Sequence, residues 1–243
     1  MVDHKTMTMM TRVSKSVVLF AMSRRVFFLS LCFLTVLNLF AQQNDFETWY
    51  GIGASHKLSK HITANLNCDI RFNDNSTRFK KFQSDFGADY EFAKWVKTGL
   101  YYRYTRYNNY PKYYQSIHAF YLDLKFDKEV SRVDFSYRMR FQYNFYEKKG
   151  QVVTEYFSRN KFAVEYDVYE SPFSPWVSYE VAFLLFDPKQ QGNSMDKYRW
   201  LIGCKYALNR TNEFNLYYGL QHSFDEQEDV NMYILGVDYN HKF

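Results

Sequence analysis

Val133-Asp134-Phe135-Ser136-Tyr137-Arg138-Met139-Arg140-Phe141-Gln142-Tyr143-Asn144-Phe145 alternates between apolar and polar side chains without a break. Successive side chains on a strand point to opposite faces. Val133, Phe135, Tyr137, Met139, Phe141, Tyr143 and Phe145 therefore share one face, and Asp134, Ser136, Arg138, Arg140, Gln142 and Asn144 share the other. A slip of one residue would move three charges onto the apolar face, so the register is fixed. The run is long enough for a tilted strand to cross a bilayer, apolar face toward lipid.

The same pattern extends along the chain. Ile62 to Phe72 places Ile62, Ala64, Leu66, Cys68, Ile70 and Phe72 on one side, with Thr63, Asn65, Asn67, Asp69 and Arg71 on the other. Period-2 counting marks further strands at 46–58, 82–92, 95–107, 115–126, 159–169, 176–186, 197–208, 213–224 and 231–243. Short connections (Ser59-Lys60, Ala93-Lys94, 127–131, 171–175, 209–212) alternate with longer ones (73–80, 108–114, 146–158, 187–196, 225–230). Hairpins threaded through an outer membrane show that alternation, with short periplasmic turns and long extracellular loops. All four prolines, Pro111, Pro172, Pro175 and Pro188, fall in connections, where a missing N–H costs no ladder bond. The expectation is an all-β fold, an antiparallel transmembrane β-barrel of about 10–12 strands forming one domain over 42–243. Eleven candidates sit awkwardly with the even number usual in bacterial barrels. A hidden strand, a broken candidate or an unusual closure would each account for the count.

Residues 1–41 read as an N-terminal extension and secretory signal peptide and are set aside from the fold. Met22-Ser23-Arg24-Arg25 is a basic start, Val26 to Phe40 an apolar run shorter than a helical span, and Ala41-Gln42 a cleavage point, which places the mature start near 42. Cys32 follows Leu31 rather than a small residue, so lipidation is not expected. The chain's net charge is +5, but residues 1–41 hold five basic residues and one acid, leaving 26 basic against 25 acidic. No case for a nucleic-acid partner survives that subtraction. Aromatic content of 21% with a mean hydropathy of −0.49 fits a wall that is apolar outside and polar inside. Cys68 and Cys204 fall on the apolar face and read as filler. The last strand carries Tyr233, Leu235, Val237, Tyr239, His241 and Phe243 on one face. Tyr239 and Phe243 match the C-terminal aromatic signal that barrel-insertion machinery reads, so the expected partners are that machinery and outer-membrane lipids.

The inward faces hold Arg71, Lys97, Arg103, Lys125, Arg138, Arg140, Arg159, Lys161, Arg199 and Lys205 against Asp69, Asp85, Asp89, Glu91, Asp123, Asp134, Glu165, Asp167, Glu180 and Asp238. Such charges can be enclosed only when paired, because one bare partner costs several kcal/mol. The balance predicts a salt-bridged lumen and argues against strong ion selectivity, which calls for a single-sign ring at a constriction.

Arg71-Phe72-Asn73-Asp74-Asn75, Arg78, Lys81-Phe82, Asp85, Tyr102-Arg103-Tyr104 and Arg138-x-Arg140-x-Gln142 resemble the bacterial outer-membrane family catalogued as domain of unknown function 2490, over nearly all of the mature chain. The resemblance implies an outer-membrane barrel of unassigned activity and carries over no catalytic residue.

The sequence therefore points to an outer-membrane barrel of the Gram-negative envelope, structural or porin-like, passing or binding a small solute. The alternative is a barrel-embedded enzyme acting on lipid or envelope glycan at the extracellular rim. Its candidates are His222-Ser223 with Asp225 and Glu226, and His118 beside Ser116. Adjacent residues on a strand face opposite ways, so His222 and Ser223 cannot form a base–nucleophile dyad between themselves. His56, His222 and His241 fall on the outward face near strand ends. No metal-ligand spacing, phosphate loop or nucleophile elbow is present, and no cofactor is expected. Trp49, Trp95, Trp176 and Tyr107 sit near strand ends, where aromatic girdles form. Gly51 and Gly53 lie within a strand, where glycine admits a neighbouring ring or a bend. Tyr107, Tyr110, Tyr113 and Tyr114 gather at one loop and could stack a glycan.

Overall fold

Alternation along each strand buries one face and leaves the other outside, and the sheet it builds closes on itself. The computed structural model describes residues 45–109, 113–187, 192–224 and 230–243. Residues 1–42, with the expected extension, signal peptide and cleavage point, lie outside the described residues, as do Tyr110, Asp225 and Glu226. The strands are β1 (Asp45–Lys57), β2 (Ile62–Asn73), β3 (Arg78–Ala93), β4 (Val96–Asn109), β5 (Tyr113–Val130), β6 (Val133–Lys148), β7 (Gln151–Tyr166), β8 (Phe173–Asp187), β9 (Gly192–Ala207), β10 (Asn212–Ser223) and β11 (Val230–Lys242).

Each strand pairs with its neighbours in sequence, and β1 closes the barrel against β11. That closure is parallel, running from Asp45↔Met232 to Ser55↔Lys242, whereas all other pairs are antiparallel. The barrel is thus mixed, and the strand count of eleven lies within the range expected. In an up-and-down meander with an odd number of strands, the first and last run the same way, so closing them forces a parallel seam. Backbone N–H of Phe243 extends the seam by donating to the Ser55 carbonyl at 2.9 Å.

One rim carries Asp45 and the β2–β3, β4–β5, β6–β7, β8–β9 and β10–β11 connections; we call it the upper rim. The lower rim carries the other turns and Phe243. At β6–β7 the upper hairpin is longer strands, not a longer loop. The expected loop 146–158 is a continuation of β6 and β7 to a two-residue turn, Lys149-Gly150, with φ of 53° and 76°. Positive φ at both central residues is what a two-residue hairpin of this kind requires. Val152-Val153-Thr154-Glu155 breaks strict alternation, and pairing with β6 still holds it as strand.

Phe86, Leu100, Ile202 and Leu216 stand outside, each more than half exposed. The buried apolar cluster is interior: Trp49, Leu201, Tyr217 and Ile234, with Trp176 packed against it. The girdle expectation therefore fails for Trp49, Trp176 and Tyr107, which line the interior, while Trp95 is exterior and 60% exposed. Strand parity decides this. Trp49 shares its face with Glu47, whose carboxylate accepts its indole N–H at 2.8 Å. Trp176 lies opposite Gly203, where a Cβ would meet the indole ring. Gly236 gives the same room to Tyr217. Gly51 and Gly53 instead face Asp238 and Asn240.

Candidate functional site: the charged lumen

Two local irregularities set the chemistry of the upper lumen. Between β2 and β3 the pairing passes from Arg71↔Lys81 to Phe72↔Phe79, leaving Lys80 as an extra residue. Between β8 and β9 it passes from Ala182↔Lys197 to Phe183↔Met195, leaving Asp196 extra. A bulge re-aims side chains, and here it puts two consecutive charged residues on the interior. Lys80 and Lys81 both line the lumen, as do Asp196 and Lys197. Lys80 pairs with fully buried Glu47, and Lys197 with Asp196 at 2.7 Å. Period-2 counting missed Glu47, Lys80, Lys81, Asp196 and Lys197. For Lys80 and Asp196 a bulge breaks the period, whereas Lys81 and Lys197 keep the inward phase of Asp85 and Arg199 and lay at or just before the start of the expected strands. For Glu47, the inward phase it shares with Trp49 was the available signal.

The remaining ion pairs run along the wall. Arg103 grips Asp85 with Nε and Nη2, at 2.5 and 2.6 Å. Arg140 grips Asp123 in the same way, at 2.7 and 2.8 Å. Lys125 meets both oxygens of Asp89, at 2.8 and 2.9 Å. Glu180 accepts from Arg138 at 2.6 Å and also from Arg159. Lys205 reaches Glu165 at 2.6 Å, and Arg71 reaches Asp69 at 2.8 Å. Asp134 lines the lower lumen beside Glu165, its cross-strand partner. Each of these pairs joins residues of one strand or of strands at most two apart. They staple neighbouring strands and do not bridge the bore.

Aromatic rings support the same network. Tyr101 and Tyr121 stack with centroids 5.0 Å apart, and the Arg140 guanidinium lies 3.6 Å from the Tyr121 centroid. On the other side of the lumen, Trp49 is approached by two guanidiniums, Arg71 at 3.7 Å and Arg199 at 4.6 Å. Both contacts lie within cation–π range.

The space left open forms two cavities, of about 660 Å³ toward the upper rim and about 830 Å³ toward the lower. Trp49, Asn67, Asp69, Arg71, Lys125, Arg138, Lys161 and Arg199 line both. This shared ring is the waist of the lumen. Of its five cations, Arg71, Lys125 and Arg138 are paired with Asp69, Asp89 and Glu180, and among the described residues Lys161 and Arg199 have no carboxylate in ion-pair range.

The candidates for catalysis lie elsewhere. His118 shares a 2.6 Å hydrogen bond with the Tyr102 hydroxyl and stacks on Phe145. Ser116 accepts instead from Arg106 at 2.9 Å. His222 stacks on Tyr198 and bonds to Asn231, while Ser223 lines the upper cavity and accepts from Gln221. His56 and His241 pack around the Phe243 ring at the lower rim. Tyr239 donates from its hydroxyl to Asn212 at 2.5 Å. Of the loop aromatics, Tyr107 faces the upper cavity, and Tyr113 and Tyr114 are exposed at the rim. Tyr114 lies against Arg106 and Phe79 on the outer face, so Tyr107 and Tyr114 do not form one platform. Cys68 and Cys204 are free thiols.

Fold and lumen define the class: a closed eleven-stranded mixed β-barrel with an apolar exterior and a charged, partly open interior. The family model described as a protein of unknown function, DUF2490, matches residues 46–232, and the chain belongs to that family. Comparison with curated proteins gives no match.

Proposed function

We propose that this protein is an outer-membrane barrel of the Gram-negative envelope whose lumen passes or holds small polar solutes. The observation that carries the reading is the pair of lumenal cavities meeting at one waist, with ion pairs kept to the wall. Barrel width grows with strand number, and eight strands already suffice for side chains to fill the interior, so eleven leave a bore. The exposed Phe86, Leu100, Ile202 and Leu216 supply the lipid-facing surface. Export would rest on the segment 22–41, and insertion on the barrel machinery, with β11 and its Tyr239 and Phe243 as the strand read.

The test is single-channel recording of the refolded protein in a planar bilayer, with Arg138→Ala and Arg140→Ala alongside. Reproducible conductance, changed by those substitutions, is expected. A correctly folded, inserted and silent barrel would overturn passage and leave a structural role.

A further inference from the structure

We propose that the waist of the lumen is an anion site that takes a doubly charged oxyanion of the phosphate type. This deepens the passage reading and rests on it. Arg199 gives both Nε and Nη2 to one neutral acceptor, Gln221 Oε1, at 3.0 and 2.5 Å. Lys161 lies across the β7–β8 register from Glu180, which Arg138 and Arg159 already hold, and its ammonium stands 5.8 Å from the Trp176 ring centroid. Among the described residues neither cation has a carboxylate in ion-pair range. They share the waist with Arg71, Arg138 and Lys125, and the neighbouring Asp69 and Glu180 are already engaged.

Enclosed cations without matching carboxylates are costly. Removing their counter-charge from the wall creates a demand that a solute can meet. Cationic rings are the device of anion and phosphate pores. Guanidinium forks match two oxygens of a tetrahedral oxyanion at once, and an ammonium adds a mobile third donor. Trp49 holds Arg71 and Arg199 on one ring despite their like charge, so the guanidiniums are placed before the anion arrives, and Arg199 would exchange its neutral Gln221 acceptor for it. Free phosphate and a phosphate ester present the same group, and a narrow waist distinguishes them by size.

The experiment measures reversal potential across a KCl gradient in a planar bilayer, first without and then with inorganic phosphate or glycerol phosphate. Anion selectivity is expected, with current reduced by inorganic phosphate; reduction by glycerol phosphate as well would extend the site to esters. Lys161→Gln with Arg199→Gln, which removes no ion pair of the wall, should lower selectivity several-fold and abolish the block. Cation-selective or non-selective current, or block unchanged in the double variant, overturns the site. Should the barrel be silent, passage fails, and the site is decided by tryptophan fluorescence of the refolded protein titrated with inorganic phosphate. A saturable change lost in Trp49→Phe sustains it; no change overturns it.

Discussion

Arg140 and Asp123 meet in a two-pronged ion pair, Nε on Oδ1 and Nη2 on Oδ2, with 7% and 1% of their side chains exposed. They lie directly opposite each other on β6 and β5, and the Tyr121 ring covers the guanidinium. The pairing leaves little of either side chain open to the cavity that both line. Asp123→Ala should therefore destabilise the refolded barrel by about 3–5 kcal/mol, because it strands a buried cation. Replacing both residues with apolar ones of similar size should recover most of that loss. Denaturant midpoints of the two single variants and the double variant measure it. Equal losses in all three would mean that the pair itself, not the stranded charge, carries the stability.

Gly236 and Tyr217 lie opposite each other where β10 meets β11. A Cβ at 236 would overlap the Tyr217 ring, which is 8% exposed and walled by the interior cluster. The ring can move only toward the lower cavity that it lines, away from its packing in the cluster, so Gly236→Ala should cost about 1–3 kcal/mol through overpacking. Adding Tyr217→Leu should relieve part of it. Thermal unfolding of the four proteins closes the cycle, and additive losses would show that the two residues do not share the space.

The parallel register of the seam is open to direct trapping. Tyr50 and Val237 are Cα partners, as are Ile52 and Tyr239. With Cys68 and Cys204 changed to serine, cysteines at 50 and 237 should oxidise to a crosslink, since paired positions place Cα atoms within the 4.4–6.8 Å a disulfide spans. Cysteines at 54 and 237 lie four residues out of register and should stay reduced. The reverse pattern would mean that β1 and β11 pair differently.

Much of this architecture is written in the period of two. Strand β6 begins at Val133 as the alternation requires, and its inward set, Arg138, Arg140 and Gln142, lines the lumen. The seam was legible only as an arithmetical difficulty, an odd number of candidates. What failed has a physical cause in each case. Strand β7 begins at Gln151, not at 159, because β6 holds it as strand where its own alternation lapses. Lys80 and Asp196 escaped because a bulge resets the phase. The waist escaped for a different reason: alternation tells inside from outside but says nothing of height. Arg138, Lys161 and Arg199 lie on one row of the β6–β9 register, with Glu180 between the last two, and Arg71 on β2 joins them only when the barrel closes. A balanced tally by sequence hid two waist cations, Lys161 and Arg199, that no carboxylate among the described residues pairs.

The odd strand number reaches beyond the pairing of β1 with β11. A barrel with an even count returns its chain to the side where it entered, so both ends share a compartment and a short linker can join them. Here Asp45 and Phe243 stand a strand's length apart; the thirteen residues of β1 span about 40 Å at the usual rise. The polypeptide traverses the wall once in net, like a single stitch. If the barrel spans a bilayer as proposed, epitopes placed beside Asp45 and beside Phe243 would report its opposite sides, and circular permutation would need a linker threaded through the bore or around the wall.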